Sequence, residues 1–160
     1  MQDKVQDEVL VTVGVSTLRR WMGVLALLGF GGVVLYVALA TPPAPAWQAF
    51  LLVIGALALW LADRMRRATE HRLELTRSEL RSSDGTRIAA IEDIEGLDRG
   101  TFAFKPSNGF LVRTRTPGGR LWRPGLWWRL GRRVGVGGVT SAPQTKAMAQ
   151  VLEALLAERG

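Results

Sequence analysis

The 160-residue chain contains no cysteine and a single histidine. Without thiols it has no disulfide scaffold, thiolate metal site, iron–sulfur cluster or cysteine nucleophile, and one imidazole excludes most histidine metal sites. That histidine, His71, has no ligating companion nearby and reads as an interfacial or hydrogen-bonded residue. Ser78, Ser82, Ser83 and Ser107 lack a nucleophile-elbow context. Asp93, Glu95 and Asp98 form the one acidic cluster, around an expected turn, with no basic or histidine partner at motif spacing; they read as solvated turn residues. Gly135, Gly137 and Gly138 match neither GxGxxG nor a P-loop, so a bent strand entering a helix is expected there. The expectation is a protein that is not an enzyme, with no cofactor, no metal and no small-molecule substrate.

Charge is also missing from residues 21–62, whereas 63–160 hold 18 of the 21 Lys+Arg and 11 of the 14 Asp+Glu. Residues 21–40 (WMGVLALLGFGGVVLYVALA) are twenty without a charge, enough for a helix to cross a hydrocarbon core of about 30 Å. A second uncharged run covers 47–62 and reaches eighteen residues with Pro45 and Ala46. Pro42, Pro43 and Pro45 in the loop 41–46 cannot sit in a helix interior, so a tight transmembrane hairpin is expected. The first run is too long for a secretory h-region and lacks a convincing cleavage site. Arg19 and Arg20 precede the first span and Arg64, Arg66 and Arg67 follow the second, while the loop has no basic residue; both termini are therefore expected on the cytoplasmic side of the membrane. Trp21, Tyr36, Trp47 and Trp60 fall near span ends, at headgroup level. With no ionisable group inside either span, transport by the hairpin alone is excluded. Gly29, Gly31 and Gly32 on one helix and Gly55, Ala56 and Ala58 on the other offer close-packing surfaces, within the hairpin or towards other helices.

The chain thus divides into an N-terminal segment (1–20), a hairpin (21–62) and a basic domain (63–160). In the first, Val9, Val11, Val13 and Val15 alternate as in a strand; the alternative is an interfacial helix with Val5, Val9 and Val13 on one face. In the third, short strands are expected at 71–76, 79–82 and 87–91, the latter two joined by Asp84-Gly85, with another begun by Ile94 and Leu97 and an aromatic one at 101–104. Asn108-Gly109 marks a reversal into Phe110–Thr116. Pro117-Gly118-Gly119 reads as a turn, Leu121-Trp122 as a short strand and Val134–Val139 as a last one. The KPSNG segment at 105–109, flanked by Phe104 and Phe110, reads as a hairpin with its phenylalanines inward. Ser141 and Gln144 match a capping box opening a final helix, with Met148, Val151, Leu152 and Leu155 on its inner face. An antiparallel meander closed by that helix is expected.

A membrane hairpin followed by the paired strands LELTRSELRSSDG, the DIEGLD turn into TFAF, an NG hairpin and a closing amphipathic helix resembles bacterial pleckstrin-homology-like (PH-like) domains of small membrane proteins, over roughly residues 70–158. The resemblance implies a membrane α-helical hairpin joined to an α+β cytoplasmic domain, a bent antiparallel barrel capped by a C-terminal helix and used for docking. Among such proteins the chain looks most like alphaproteobacterial ones of unassigned function and, more remotely, like photosynthetic-complex assembly proteins. No Lys-x-n-Arg phosphoinositide loop stands between the first strands, a departure from lipid-binding eukaryotic members.

Acidic residues are absent from 99 to 152, where Arg99, Lys105, Arg113, Arg115, Arg120, Arg123, Arg129, Arg132, Arg133 and Lys146 all carry positive charge. Within this field Trp122, Arg123, Trp127, Trp128, Arg129, Arg132 and Arg133 compose the expected working surface, suited to a partner's acidic face or to anionic phospholipids. Nucleic acid would use the same residue types, but no RNA- or DNA-binding motif is present. The expected function is an accessory, scaffold or assembly subunit of a larger energy-transducing (respiratory or photosynthetic) membrane complex. The alternative is an anionic-lipid-binding or membrane-organising protein without a fixed protein partner.

Overall fold

A computed structural model describes residues 8–100 and 106–160. The expected strand at 101–104, Phe104 and Lys105 of the KPSNG turn, and Val5 of the helical alternative lie outside them. Two 24-residue helices, α1 (Thr17–Ala40) and α2 (Pro45–Ala68), pack side by side, each about 36 Å long. Both extend past the uncharged runs, α1 backward to Thr17 and α2 forward to Ala68. Pro45 sits in the first turn of α2, where its missing N–H is not needed, and Arg66 and Arg67 lie in the last turn, where cations meet the negative end of the helix dipole.

The helices touch through glycine. A side chain at Gly31 would meet Leu59 at 3.0 Å and the Gly55 carbonyl at 3.2 Å, and one at Gly55 would meet Leu35 at 2.7 Å. Gly29 and Gly32 have open space beside them, so the first glycine cluster divides between the helix contact and the outer face. Only 17% of the apolar window of either helix is buried, and Leu25, Phe30, Val33, Leu39, Phe50 and Val53 all point outward. Both helices are long and apolar enough to cross a membrane.

Among the described residues the remaining elements include seven strands and one α-helix. Strands β1 (Val11–Val13), β2 (Leu73–Leu75), β3 (Glu79–Ser82) and β4 (Arg87–Ala90) form one antiparallel sheet in that order. A 3-10 turn at Ile91–Asp93 leads to the second antiparallel sheet, β5 (Ile94–Asp98), β6 (Phe110–Arg123) and β7 (Trp127–Val136). Val11 to Val13 pair with Leu75 to Leu73, so the N-terminal alternation is a strand, and the first sheet draws on chain from both sides of the helical hairpin. Asp84-Gly85 makes the β3–β4 turn, with Gly85 at φ +89°, a conformation glycine adopts without steric penalty. One core unites both sheets with α3 (Ala142–Arg159): Leu73, Leu80, Ile88, Phe110, Trp127 and Leu152, among others, are fully buried. Met148 and Leu152 face this core, with Val151 and Leu155 at its edge.

Several expectations need correction. Pro117-Gly118-Gly119 is not a reversal: β6 runs from Phe110 through Arg123, and the register of the β6–β7 ladder shifts on either side of Gly118. The irregularity accommodates Pro117, which has no ladder donor, while the Thr116 N–H leaves the ladder for the Asp93 carboxylate at 3.0 Å. The last strand is Trp127–Val136 rather than Val134–Val139, because Gly137 and Gly138, at φ +138° and +134°, turn the chain out of the sheet. Glu95 and Asp98 lie on strand β5 instead of a turn. The capping box does not form: Gln144 Oε1 accepts the Gly14 N–H at 2.8 Å, and Ser141 contributes its carbonyl to the Thr145 N–H and hydroxyl.

Asp93 also accepts the Thr116 hydroxyl at 2.6 Å, and that bond, with the Thr116 amide and the charges of Arg129 and Arg115, outweighs desolvation and holds its carboxyl below the ordinary range. A depressed carboxylate stabilises the fold above its unfolded pKa, and that contribution is lost as acidification carries the pH through the folded value. Thr116→Val is expected to move the Asp93 titration upward, read by NMR of its carboxyl carbon, and to shrink the acid-side loss of stability.

Candidate functional site

The β6–β7 hairpin is folded over on itself. Its turn returns to the chain beyond β7, where the Leu126 carbonyl accepts the Gly137 N–H and the Gly125 carbonyl the Val139 N–H, both at 2.9 Å. Gly125 adopts φ +81°, and a side chain there would meet Val139, Thr69 and Met65 at 3.1 to 3.4 Å. The turn therefore lies against the C-terminal end of α2. Strand alternation separates the adjacent tryptophans. Trp127 is 1% exposed and belongs to the core, which removes it from the expected surface; Trp128 points the other way, its indole lying against Gly135.

Trp128 pairs directly with Trp122 across the ladder, and Trp122 is 48% exposed. With Arg120, Leu121, Arg129 and Leu130 they line an open groove of about 340 Å³. Leu121 and Leu130 are exposed here as well.

The arginines divide in two. Arg123 pairs with Asp84 at 3.3 Å, and Arg129 donates to the Ile88 carbonyl at 2.7 Å, so both hold the sheets together and neither is a free surface cation. Burial acts to raise the Asp84 pKa, but hydrogen bonds from Thr86 and Ser82 and the charge of His71 hold it below the ordinary range. Arg132 and Arg133 are exposed, as expected. Arg113, Arg115 and Arg120, which belong to the same basic field but were not among the expected site residues, join them on the surface. None of these five makes an ion pair among the described residues. Arg113 and Arg133 stand directly opposite each other across the ladder, a like-charge pairing that disfavours the isolated sheet and that an anionic partner relieves. The signal that would have found Arg113 and Arg115 is the alternation of 110–116, which puts them opposite the buried Val112 and Thr114.

At the helical hairpin, Trp21, Trp47 and Trp60 are 46%, 63% and 52% exposed. The Arg20 guanidinium lies 5.8 Å from the Trp21 ring centre and that of Arg64 5.5 Å from Trp60, cation–π contacts suited to a headgroup boundary. Arg66 and Arg67 reach Asp63 at 3.3 and 2.8 Å, and Arg19 is exposed. No group of three or more potential metal ligands occurs among the described residues. Compared with protein-family models, curated proteins and solved structures, the chain gives no match.

Proposed function

We propose that the chain is a membrane-anchored, non-catalytic docking subunit of a larger integral-membrane complex, gripping an acidic face of that complex with the Trp122–Trp128 groove. The carrying observation is the groove itself: two opposed indoles, that of Trp122 half exposed, and two exposed leucines beside Arg120, which makes no ion pair among the described residues. Indole and guanidinium are the groups most enriched where association energy concentrates, and a positive field steers an acidic partner. The gathering of Arg19, Arg20, Arg64, Arg66 and Arg67 at one end of the hairpin supports a bacterial inner membrane crossed twice, with the sheet domain and both termini cytoplasmic. Two antiparallel meanders closed by a C-terminal helix support a PH-like bent barrel, and the resemblance to photosynthetic-complex assembly proteins supports an energy-transducing complex as the host.

The test is purification of the full chain in mild detergent with mass spectrometry of what accompanies it. Stoichiometric recovery of a membrane complex is expected, reduced about tenfold or more by Trp122→Ala with Trp128→Ala when equal amounts of folded protein are compared, since the Trp128 indole also packs on Gly135. Equal recovery with the double variant overturns the assignment. A second reading places the groove on anionic headgroups, favoured by the contact of the hairpin turn with Met65 and Thr69 at the end of α2. Its signature is recovery of the chain alone, with indole quenching by headgroup-labelled phosphatidylglycerol that the double variant loses.

A further inference from the structure

A second cavity, of about 290 Å³, lies where the chain passes between the sheet domain and the helical hairpin, and it shares no lining residue with the groove. Thr17 and Arg20 from the start of α1 face Thr69, Glu70, His71 and Arg72 from the end of α2 and the link to β2. Arg20 bridges the helices, donating from Nη2 to the Arg66 carbonyl at 3.2 Å, with Glu70 3.9 Å away. Its Nε is shut off from solvent and has no acceptor. Arg20 itself lines the cavity, and its guanidinium, with one donor unmatched, retains charge for an anion placed against it. The Arg72 backbone is tied to Ser83, but its guanidinium has no partner among the described residues. The first turn of α1, which lacks a side-chain cap, borders the same space. The one carboxylate in the cavity, Glu70, is already drawn towards Arg66 at 3.4 Å.

We propose that this cavity binds a phosphate group, held by Arg20 and Arg72 with support from Thr17 in the uncapped first turn of α1. Guanidinium donors match phosphate oxygens in geometry and charge, and the cavity has roughly ten times the volume of one liquid water, room for a tetrahedral oxyanion. Its place beside the Arg20–Trp21 contact is where a phospholipid headgroup would sit against the hairpin; a soluble phosphate has the same chemistry. The site stands whatever docks at the groove.

The experiment titrates the full-length protein, in phospholipid-free detergent, with phosphatidylglycerol and separately with inorganic phosphate, following bound ligand by native mass spectrometry and phosphorus NMR. Arg72→Gln, which removes a guanidinium that holds nothing else, is expected to lower affinity about tenfold, and Arg20→Lys, which keeps the charge but loses the planar guanidinium, to lower it severalfold. Glu70→Gln, which removes the competing carboxylate, is expected to raise it. Saturation by phosphatidylglycerol alone identifies a lipid headgroup, and saturation by inorganic phosphate identifies a soluble source. Binding of neither, or equal affinity in the wild type and Arg72→Gln, overturns the proposal. Recovery of a partner complex is untouched by Arg72→Gln, so failure here and failure of the docking assignment are separately visible.

Discussion

Trp127→Ala is expected to destabilise the sheet domain by about 3–5 kcal/mol, the range for deleting a large aromatic side chain from a packed core. The indole is 1% exposed and its Nε1 has no hydrogen-bond partner, so its contribution is packing against the two sheets and α3 rather than polar bonding. A shift of that size in chemical or thermal unfolding of the full chain in micelles would be a large fraction of the stability of a domain this small. Trp122→Ala provides the contrast within the same hairpin: with its ring half open, it is expected to change stability by less than about 1 kcal/mol while weakening association. Similar unfolding shifts for the two substitutions would contradict the division between core and surface.

The second large effect is in the helical pair. At Gly55 any side chain would stand 2.7 Å from Leu35, and the facing Gly31 leaves no slack because its own neighbours are Leu59 and the Gly55 backbone. Helices that meet through glycine gain their attraction from backbone proximity, since lipid tails offer no hydrophobic drive to bring them together. Gly55→Leu is expected to force the helices apart, with an overpacking penalty of about 1–3 kcal/mol and a lower melting temperature in micelles. Gly32→Leu, which enters open space, is the control that should melt like the wild type. If both variants melt alike, the helix contact does not depend on the Gly31–Gly55 approach.

What could be read from sequence was local. Uncharged runs bounded by arginines announced α1 and α2, valine alternation announced β1, and Asp84-Gly85 announced a hairpin, since each depends on residues a few positions apart. The errors occurred where distant chain decides the outcome. Pro117-Gly118-Gly119 has the composition of a turn, but β7 pairs across it and Asp93, 23 residues away, takes the amide that the ladder cannot use. Gln144 has the spacing of a capping residue, yet Gly14, 130 residues away, claims its side chain. The candidate groove was legible as a composition of tryptophan and arginine; its membership was not. Arg123 and Arg129 look like Arg132 and Arg133 in sequence, and only Asp84 and the Ile88 carbonyl, 39 and 41 residues distant, withdraw them from the surface.

The insertion of the helical pair between neighbouring strands has a mechanical consequence. Because β1 runs into α1 and α2 runs into β2, the domain is moored by two adjacent cables instead of one, and the Val15–Thr140 bridge tightens the first. A single tether would let the domain swivel through many attitudes; a doubled one holds its azimuth and standoff nearly constant. In the proposed membrane setting, a partner in the same bilayer would meet the indole groove at a preset height after lateral diffusion alone, with little rotational freedom left to lose on docking.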